Sequence, residues 1–241
     1  IADSKGDNPT GNIRLDKRAY KTPNDMSKKH PSVKGFIGSD EFDQQPVDEN
    51  GGYHARKGLK LYWQWNHNPI DEAWSLTERP GWMRLKTARV VDNINLAPNT
   101  LTQRMSAPLC TGSVKIDFSK MKDGDICGLA AFNGDSGVLR LVKKGGKTVL
   151  QLTEEKSVFK RPRNIERVDV EVIEEVPVKG KEIYLKLHGD FNPNRDMASF
   201  SYSTDGKEWK TIGREIAMRF DYMRHFMGTK FAIFNYATKK T

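Results

Sequence analysis

Cysteine is scarce in this chain of 241 residues: Cys110 and Cys127 are the only two. They flank a predicted hairpin, with strands near 113–118 and 126–132 joined by Lys120-Met121-Lys122-Asp123-Gly124-Asp125. With the turn centred near Lys122 and Asp123, Cys110 falls opposite about position 135 and Cys127 opposite about position 118. That separation exceeds the ~7 Å Cα limit for a disulfide. Both are therefore expected to be buried free thiols, and cysteine usage says little about redox compartment. No apolar run approaches the roughly 20 residues that span a bilayer. No charged-then-apolar leader opens the chain at Ile1, which reads as an excised or processed piece of something longer.

Signatures of catalysis are missing too. The five histidines, His30, His54, His67, His188 and His225, are dispersed, and no two stand in a His-x-x-x-His arrangement. There is no Gly-rich phosphate loop, no Gly-x-Ser-x-Gly elbow and no Cys/His nucleophile signature. A glycosidase acid/base pair is defined by spatial separation, which sequence does not supply. Catalysis by this chain alone is not expected. The formal charge of +9 invites a nucleic-acid reading, but the basic residues are scattered among acids, as in Glu154-Glu155-Lys156. The densest basic cluster, Lys160-Arg161-Pro162-Arg163, is short. A solvated surface is expected instead.

What is present points to β-structure. Residues 1–36 are rich in Asp, Lys, Asn, Pro, Ser and Gly without sustained period, and read as a linker or N-terminal arm. From Phe36 onward short alternating runs appear. Val114, Ile116 and Phe118 alternate with Lys115 and Asp117; Ile183, Leu185 and Leu187 with Tyr184, Lys186 and His188. Phe200 and Tyr202 alternate with serines. The last run, 231–236, is apolar on both faces over much of its length, so a central strand is expected there. Asp123-Gly124, Asn133-Gly134, Gly145-Gly146, Asn192-Pro193 and Asp205-Gly206 punctuate these runs as tight turns do. In Ser203-Thr204-Asp205-Gly206-Lys207-Glu208-Trp209 the Asp-Gly pair makes the turn, and Trp209 is placed to pack back on the sheet. With aromatics at 10% to fill a core, one antiparallel β-sandwich is expected over 37–241.

Four of the five tryptophans fall between Trp63 and Trp82. Alternation puts Leu59, Leu61, Trp63 and Trp65 on one side, as core. Lys60, Tyr62 and Gln64 take the other, which leaves Tyr62 and Gln64 as candidates for an exposed face. Aromatic faces bordered by amides and a histidine suit a sugar-binding surface, because a ring stacks on the apolar face of a pyranose while amides read its hydroxyls. Tyr62, Gln64, His67, Asn68 and Trp82 are the candidates on this ground. Asp40, Glu41 and Asp43 are candidates for calcium oxygens, set against plain surface solvation.

The ordered motifs form a family pattern. They run Ser39-Asp40-Glu41-Phe42-Asp43, Leu61-Tyr62-Trp63-Gln64-Trp65-Asn66-His67-Asn68-Pro69, Trp74-Ser75-Leu76 and Arg79-Pro80-Gly81-Trp82-Met83-Arg84-Leu85. Asn99-Thr100-Leu101-Thr102-Gln103-Arg104, Met121-Lys122-Asp123-Gly124-Asp125, Phe220-Asp221-Tyr222 and Phe226-Met227-Gly228 follow. This order resembles the C-terminal β-sandwich of family 43 glycoside hydrolases, the β-xylosidase and α-L-arabinofuranosidase group, also classed as carbohydrate-binding module family 91. The resemblance covers roughly residues 38–236 and implies a concanavalin A-like jelly roll that follows a catalytic five-bladed propeller. It implies a non-catalytic accessory module of a secreted or periplasmic xylan-degrading exo-glycosidase. By motif position, Phe226 would stand beside the propeller's sugar pocket, or else lie buried under its own turn. The family continues past this chain's end with one more strand, so the module reads as truncated there, which bears on any calcium site that strand would complete. Two alternatives stay open: an autonomous xylan-binding module, and a purely structural or oligomerising domain.

Overall fold

A computed structural model describes residues 37–43, 58–60, 62–161, 164–218 and 228–240. The chain divides into two units, Ile1–Phe36 and Ile37–Thr241. The first, expected to be the polar arm, lies outside the described residues, as do Leu61 and Phe226.

In chain order the strands are β1 (Gln64–Trp65), β2 (Trp74–Ser75), β3 (Arg84–Leu85), β4 (Leu101–Arg104), β5 (Leu109–Asp117), β6 (Asp125–Phe132) and β7 (Ser136–Lys144). Then come β8 (Lys147–Arg161), β9 (Asn164–Val178), β10 (Glu182–Asp190), β11 (Met197–Ser203), β12 (Lys210–Thr211), β13 (Ile216–Ala217) and β14 (Lys230–Ala237). Among the described residues the only helical segments are two 3-10 turns, Asp71–Ala73 and Ile94–Leu96. Seven strands make one sheet in the order β1–β4–β14–β6–β7–β8–β9. A five-stranded sheet runs β12–β11–β10–β5, with β13 also on β11, and β2 pairs β3. Every strand pair is antiparallel. This is the expected antiparallel β-sandwich.

The alternation seen in the sequence builds its core. Ile183, Leu185 and Leu187 of β10, with Phe200 of β11, face Leu129 of β6, Leu139 and Leu141 of β7, and Leu150 and Leu152 of β8 across the two sheets. The run at 231–236 is β14, seated between β4 and β6 as its two apolar faces require. Phe231 and Ile233 pack toward the inter-sheet core. Ala232, Phe234 and Tyr236 pack on the opposite, outer face with Ile126, Ala130, Phe132 and Val138. That outer face is not open along its length: Ile94 and Ala97, both fully buried, lie on it. The β7–β8 turn uses Gly145 and Gly146 at φ 59° and 74°, the left-handed values a two-residue hairpin demands.

One expectation is corrected. β5 and β6 do not form a hairpin; β5 pairs β10 in the smaller sheet and β6 lies between β14 and β7 in the larger. β5 has one apolar side, satisfied at a sheet edge, whereas β6 is buried on both faces and takes a central seat. The Asp123-Gly124 pair therefore turns a crossover between sheets. Its Asp123 carboxylate accepts the Gly145 and Gly146 N–H groups (2.8 and 3.0 Å), clipping the crossover to the β7–β8 turn. Both cysteines are free, as expected, but each residue is half-buried where full burial was expected, and they stand on strands of different sheets. Burial pushes the Cys127 thiol up to about 12, and burial also raises that of Cys110.

The Asp205-Gly206 turn forms as read. Asp205 accepts from the Lys207 and Glu208 N–H groups, and Ser203 Oγ accepts from Gly206 N–H. Trp209 lies under the Lys186 ammonium, 3.4 Å from its ring centroid, a cation–π contact on the sheet surface.

Candidate functional site

The structure divides the candidate residues among three places. Tyr62 and Asp40 serve the segment 37–43. The Tyr62 hydroxyl donates to the Ser39 carbonyl at 2.6 Å, and its ring lies against Gly38, where a Cβ would meet it at 3.1 Å. Asp40 accepts from Trp63 Nε1 (2.8 Å) and from the Phe42 N–H (2.9 Å) and pairs with Lys60 at 3.1 Å. Its side chain is 1% exposed. Glu41 and Asp43 point to solvent. Among the described residues, no group of three or more His, Cys, Asp or Glu is gathered that could hold a metal ion. The carboxylate proposed for calcium thus neutralises a lysine and receives an indole N–H. Asp40→Ala is expected to lower stability by about 2 kcal/mol, because it leaves the half-buried Trp63 indole N–H and the Lys60 ammonium without their acceptor; urea unfolding measures this.

The stretch predicted as one strand, 59–65, is extended only at β1; Trp63 N–H closes a turn on the Lys60 carbonyl at 3.1 Å. Leu59 is buried as expected, and Trp63 and Trp65 are half-buried against Leu59, Trp74, Leu76 and Leu101.

Trp82 belongs to the second place, a groove of about 1810 Å³ beside β5 and the inner face of β14, floored by Phe231 and Ile233. Its indole is not a bare platform. The Arg79 guanidinium lies 3.8 Å from the ring centroid and the Lys115 ammonium 5.2 Å. Arg79 is itself held by Asp117 at 2.5 Å.

Gln64, His67 and Asn68 come together at the third place, an open recess of about 690 Å³ formed by 64–69 and Asp71. Sequence spacing alone gathers them, but tertiary bonds fix their shape. The Asn66 N–H donates to the Thr100 carbonyl at 2.9 Å. Thr102 Oγ1 donates to the Gln64 carbonyl at 2.8 Å. His67 Nε2 lies 2.7 Å from the Asn95 carbonyl; a carbonyl only accepts, so this nitrogen carries the proton. Buried Asn99 clamps Ile70 by both its amide atoms, at 2.8 and 3.0 Å. Trp65 packs on Trp74 with centroids 5.1 Å apart.

Behind the recess stands a residue that the sequence reading missed. Lys230, at the start of β14, is buried. Its ammonium reaches across β4 to Gln64 Oε1 at 2.8 Å. Arg104 is its direct cross-strand neighbour. Burial first, then the Arg104 charge, holds the Lys230 amine below its ordinary range. Lys230 sits in an apolar-looking run, Lys-Phe-Ala-Ile-Phe, where its burial has no local signal.

Phe226 itself lies outside the described residues, within 219–227. Met218 is buried in the inter-sheet core, its N–H on the Asp196 carbonyl at 2.7 Å. Thr229 is buried, its Oγ1 accepting from Asn133 Nδ2 at 3.2 Å.

Residues 54–241 match the model of the beta-xylosidase C-terminal concanavalin A-like domain of the GH43 group. The chain belongs to this family. A beta-xylosidase from Formosa agariphila is 29% identical over 204 residues, covering 76% of this chain and 31% of that protein. A putative beta-xylosidase from Xylanibacter ruminicola is 27% identical, covering 91% of this chain and 36% of the relative. A solved structure described as a bifunctional GH43-CE protein of Bacteroides eggerthii superposes with a TM-score of 0.73 at 37% identity, over 87% of this chain and 25% of that one. The chain thus spans about a third of the length of the curated relatives it matches. In GH43_C2 terms it is the concanavalin A-like part of such proteins. No helix among the described residues is long and apolar enough to cross a membrane.

Proposed function

We propose that this GH43_C2 domain is a non-catalytic accessory module of a secreted or periplasmic xylan-degrading exo-glycosidase, of the kind classed as carbohydrate-binding module family 91. Its partner is a preceding catalytic propeller, and its task is to complete the wall of that domain's substrate pocket with Phe226. The observation that carries this reading is the match of most of the chain to the C-terminal part of β-xylosidases. Met218 and Thr229, described residues of the sandwich near Phe226 in sequence, are both buried. A ring held by a rigid scaffold keeps its position against a neighbour, and an aromatic contact to a sugar contributes about 1 kcal/mol or more.

Phe226→Ala in the full-length enzyme is expected to raise KM or lower kcat on short xylooligosaccharides severalfold, with the melting temperature little changed. Kinetics equal to wild type would remove the pocket-wall role.

Autonomous binding through Tyr62 and Trp82 draws less support, since the first is tied to Ser39 and the second is covered by Arg79. Metal is not needed by this reading, and calcium bound near Asp40 would have to displace Lys60 and Trp63.

A further inference from the structure

β9 is the outermost strand of the seven-stranded sheet, so one edge of its 15 residues has no strand beside it among the described residues. A long edge with unpaired N–H and C=O groups is a template for another chain. One face of this edge is apolar. Val170 stands opposite Glu155 of β8 and Val172 opposite Thr153, which puts both, with Val168, on the outer face, where Arg140 meets Glu155. Thr153 and Glu155 are 0% and 1% exposed, whereas Val170 and Val172 are 41% and 48% exposed. The cover over the outer face thus ends at β8. The other face of β9 carries Arg167, Asp169 and Glu171. Arg167 holds Asp169 by two bonds, at 2.8 and 3.4 Å. Arg214 bridges Glu171 and Glu154, at 3.4 and 2.8 Å. The side chains of Arg167, Asp169 and Glu171 are each more than half exposed.

We propose that β9 pairs antiparallel with β9 of a second copy of this chain, joining the two seven-stranded sheets into one. The strand is complementary to itself. With a twofold axis at Asp169, Val168 of each copy faces Val170 of the other on the outer face, and Arg167 faces Glu171 on the opposite face. Both kinds of cross-strand pair, β-branched and opposite-charge, favour a ladder. The two Asp169 carboxylates meet at the axis, each already neutralised by its own Arg167. Charge selects this register over its neighbours. An axis at Val170 would set Asp169 against Glu171, acid against acid, and one at Val168 would set Val170 against Glu166. Residues 167–172 also lie between the register irregularities of the β8–β9 pair, so this part of the edge is regular. The proposal does not rest on the accessory-module reading and needs neither Phe226 nor a propeller.

The test is sedimentation velocity of the full chain from roughly 1 to 100 μM. A dimer is expected to form as concentration rises. Val170→Lys, at an exposed position, is expected to leave the chain monomeric with its circular-dichroism spectrum unchanged. Arg167→Glu and Glu171→Arg are each expected to weaken dimerisation about tenfold or more, because each sets like charges across the axis twice. An equimolar mixture of these two variants is expected to dimerise more tightly than either alone, since both 167–171 contacts are then again between opposite charges. A chain monomeric throughout, a dimer that survives Val170→Lys, or a mixture no tighter than its components would each overturn the proposal. None of these results bears on Phe226→Ala kinetics, so the two readings fail separately.

Discussion

Replacing Arg140 with Met is expected to destabilise the domain by about 3–5 kcal/mol at pH 7, roughly 10 °C or more in melting temperature. Arg140 lies on the outer face of β7, between Val138 and Val142. Its Nη1 donates to Glu155 Oε1 at 3.1 Å and its Nε to Gln151 Oε1 at 3.1 Å. Glu155 is 1% exposed, so its charge has almost no water to rely on. Burial pushes its carboxyl above the ordinary range, and the Arg140 charge, the Ile94 N–H and the Thr153 hydroxyl offset part of that rise. Without the guanidinium, an ionised Glu155 would be stranded in the interior.

The pH dependence has a definite sign. Because the folded carboxyl takes up its proton at higher pH than the unfolded one, the folded state binds more protons between those two values. Stability from this group therefore increases as pH falls through the raised folded pKa, and is complete below the ordinary value of 4.5. Arg140→Met raises the folded pKa further, which extends the window upward. The deficit of the variant should shrink on acidification, as thermal melts from pH 8 down to pH 5 would show. A deficit constant with pH would mean that lost packing, and not a stranded charge, is responsible. Glu155→Gln in the Arg140→Met background is expected to recover part of the loss at pH 7.

A second large effect is expected at Gly128. It sits in β6 directly opposite Arg140 of β7. A Cβ there would collide with the Leu139 carbonyl oxygen and come within 2.9 Å of the Arg140 Cα. Both obstacles are backbone of a central strand paired on each side, so neither can swing away as a side-chain tip would. Gly128→Ala is expected to lower stability by about 3 kcal/mol or more, at or above the usual range for overpacking. Gly146→Ala provides the contrast. Nothing lies within 4 Å of its Cβ, but its φ is +74°, so only backbone strain of about 1 kcal/mol is expected. Circular-dichroism melts of the two variants separate a collision from a conformational cost; equal effects would contradict the geometry.

These sites differ in how visible they were. The inward positions of β10, Ile183, Leu185 and Leu187, follow from alternation alone, because a strand with one apolar side has only one way to face a core. β14 was legible as central for the complementary reason, since its side chains are apolar on both faces. The β5–β6 connection was not. An Asp-Gly pair between two alternating runs has the same local chemistry whether it closes a hairpin or carries the chain to another sheet. The choice depends on which partners are left for each strand once all of them are placed.

The site shows the same division. Gln64, His67 and Asn68 are neighbours in sequence, so any fold that turns there keeps them together. Tyr62 and Trp82 carry the right chemistry for a sugar platform, but Ser39 and Arg79 reach them from elsewhere in the chain. Asp40 looked like a surface acid because nothing nearby in sequence announces Lys60 or Trp63 as its partners. Lys230 lies 166 positions from Gln64 and joins it only because β1, β4 and β14 are adjacent in one sheet.

By itself, the sequence determined the all-β class, the sandwich, the inward-facing residues and the family to which the chain belongs. Periodicity, turn residues and short motifs are local properties, and these follow from them. Tertiary structure decided strand partnership, the employment of each polar group and the reach of Lys230 to Gln64. Those depend on contacts between distant segments, where the energy of a charge or a donor is set by what the fold packs against it.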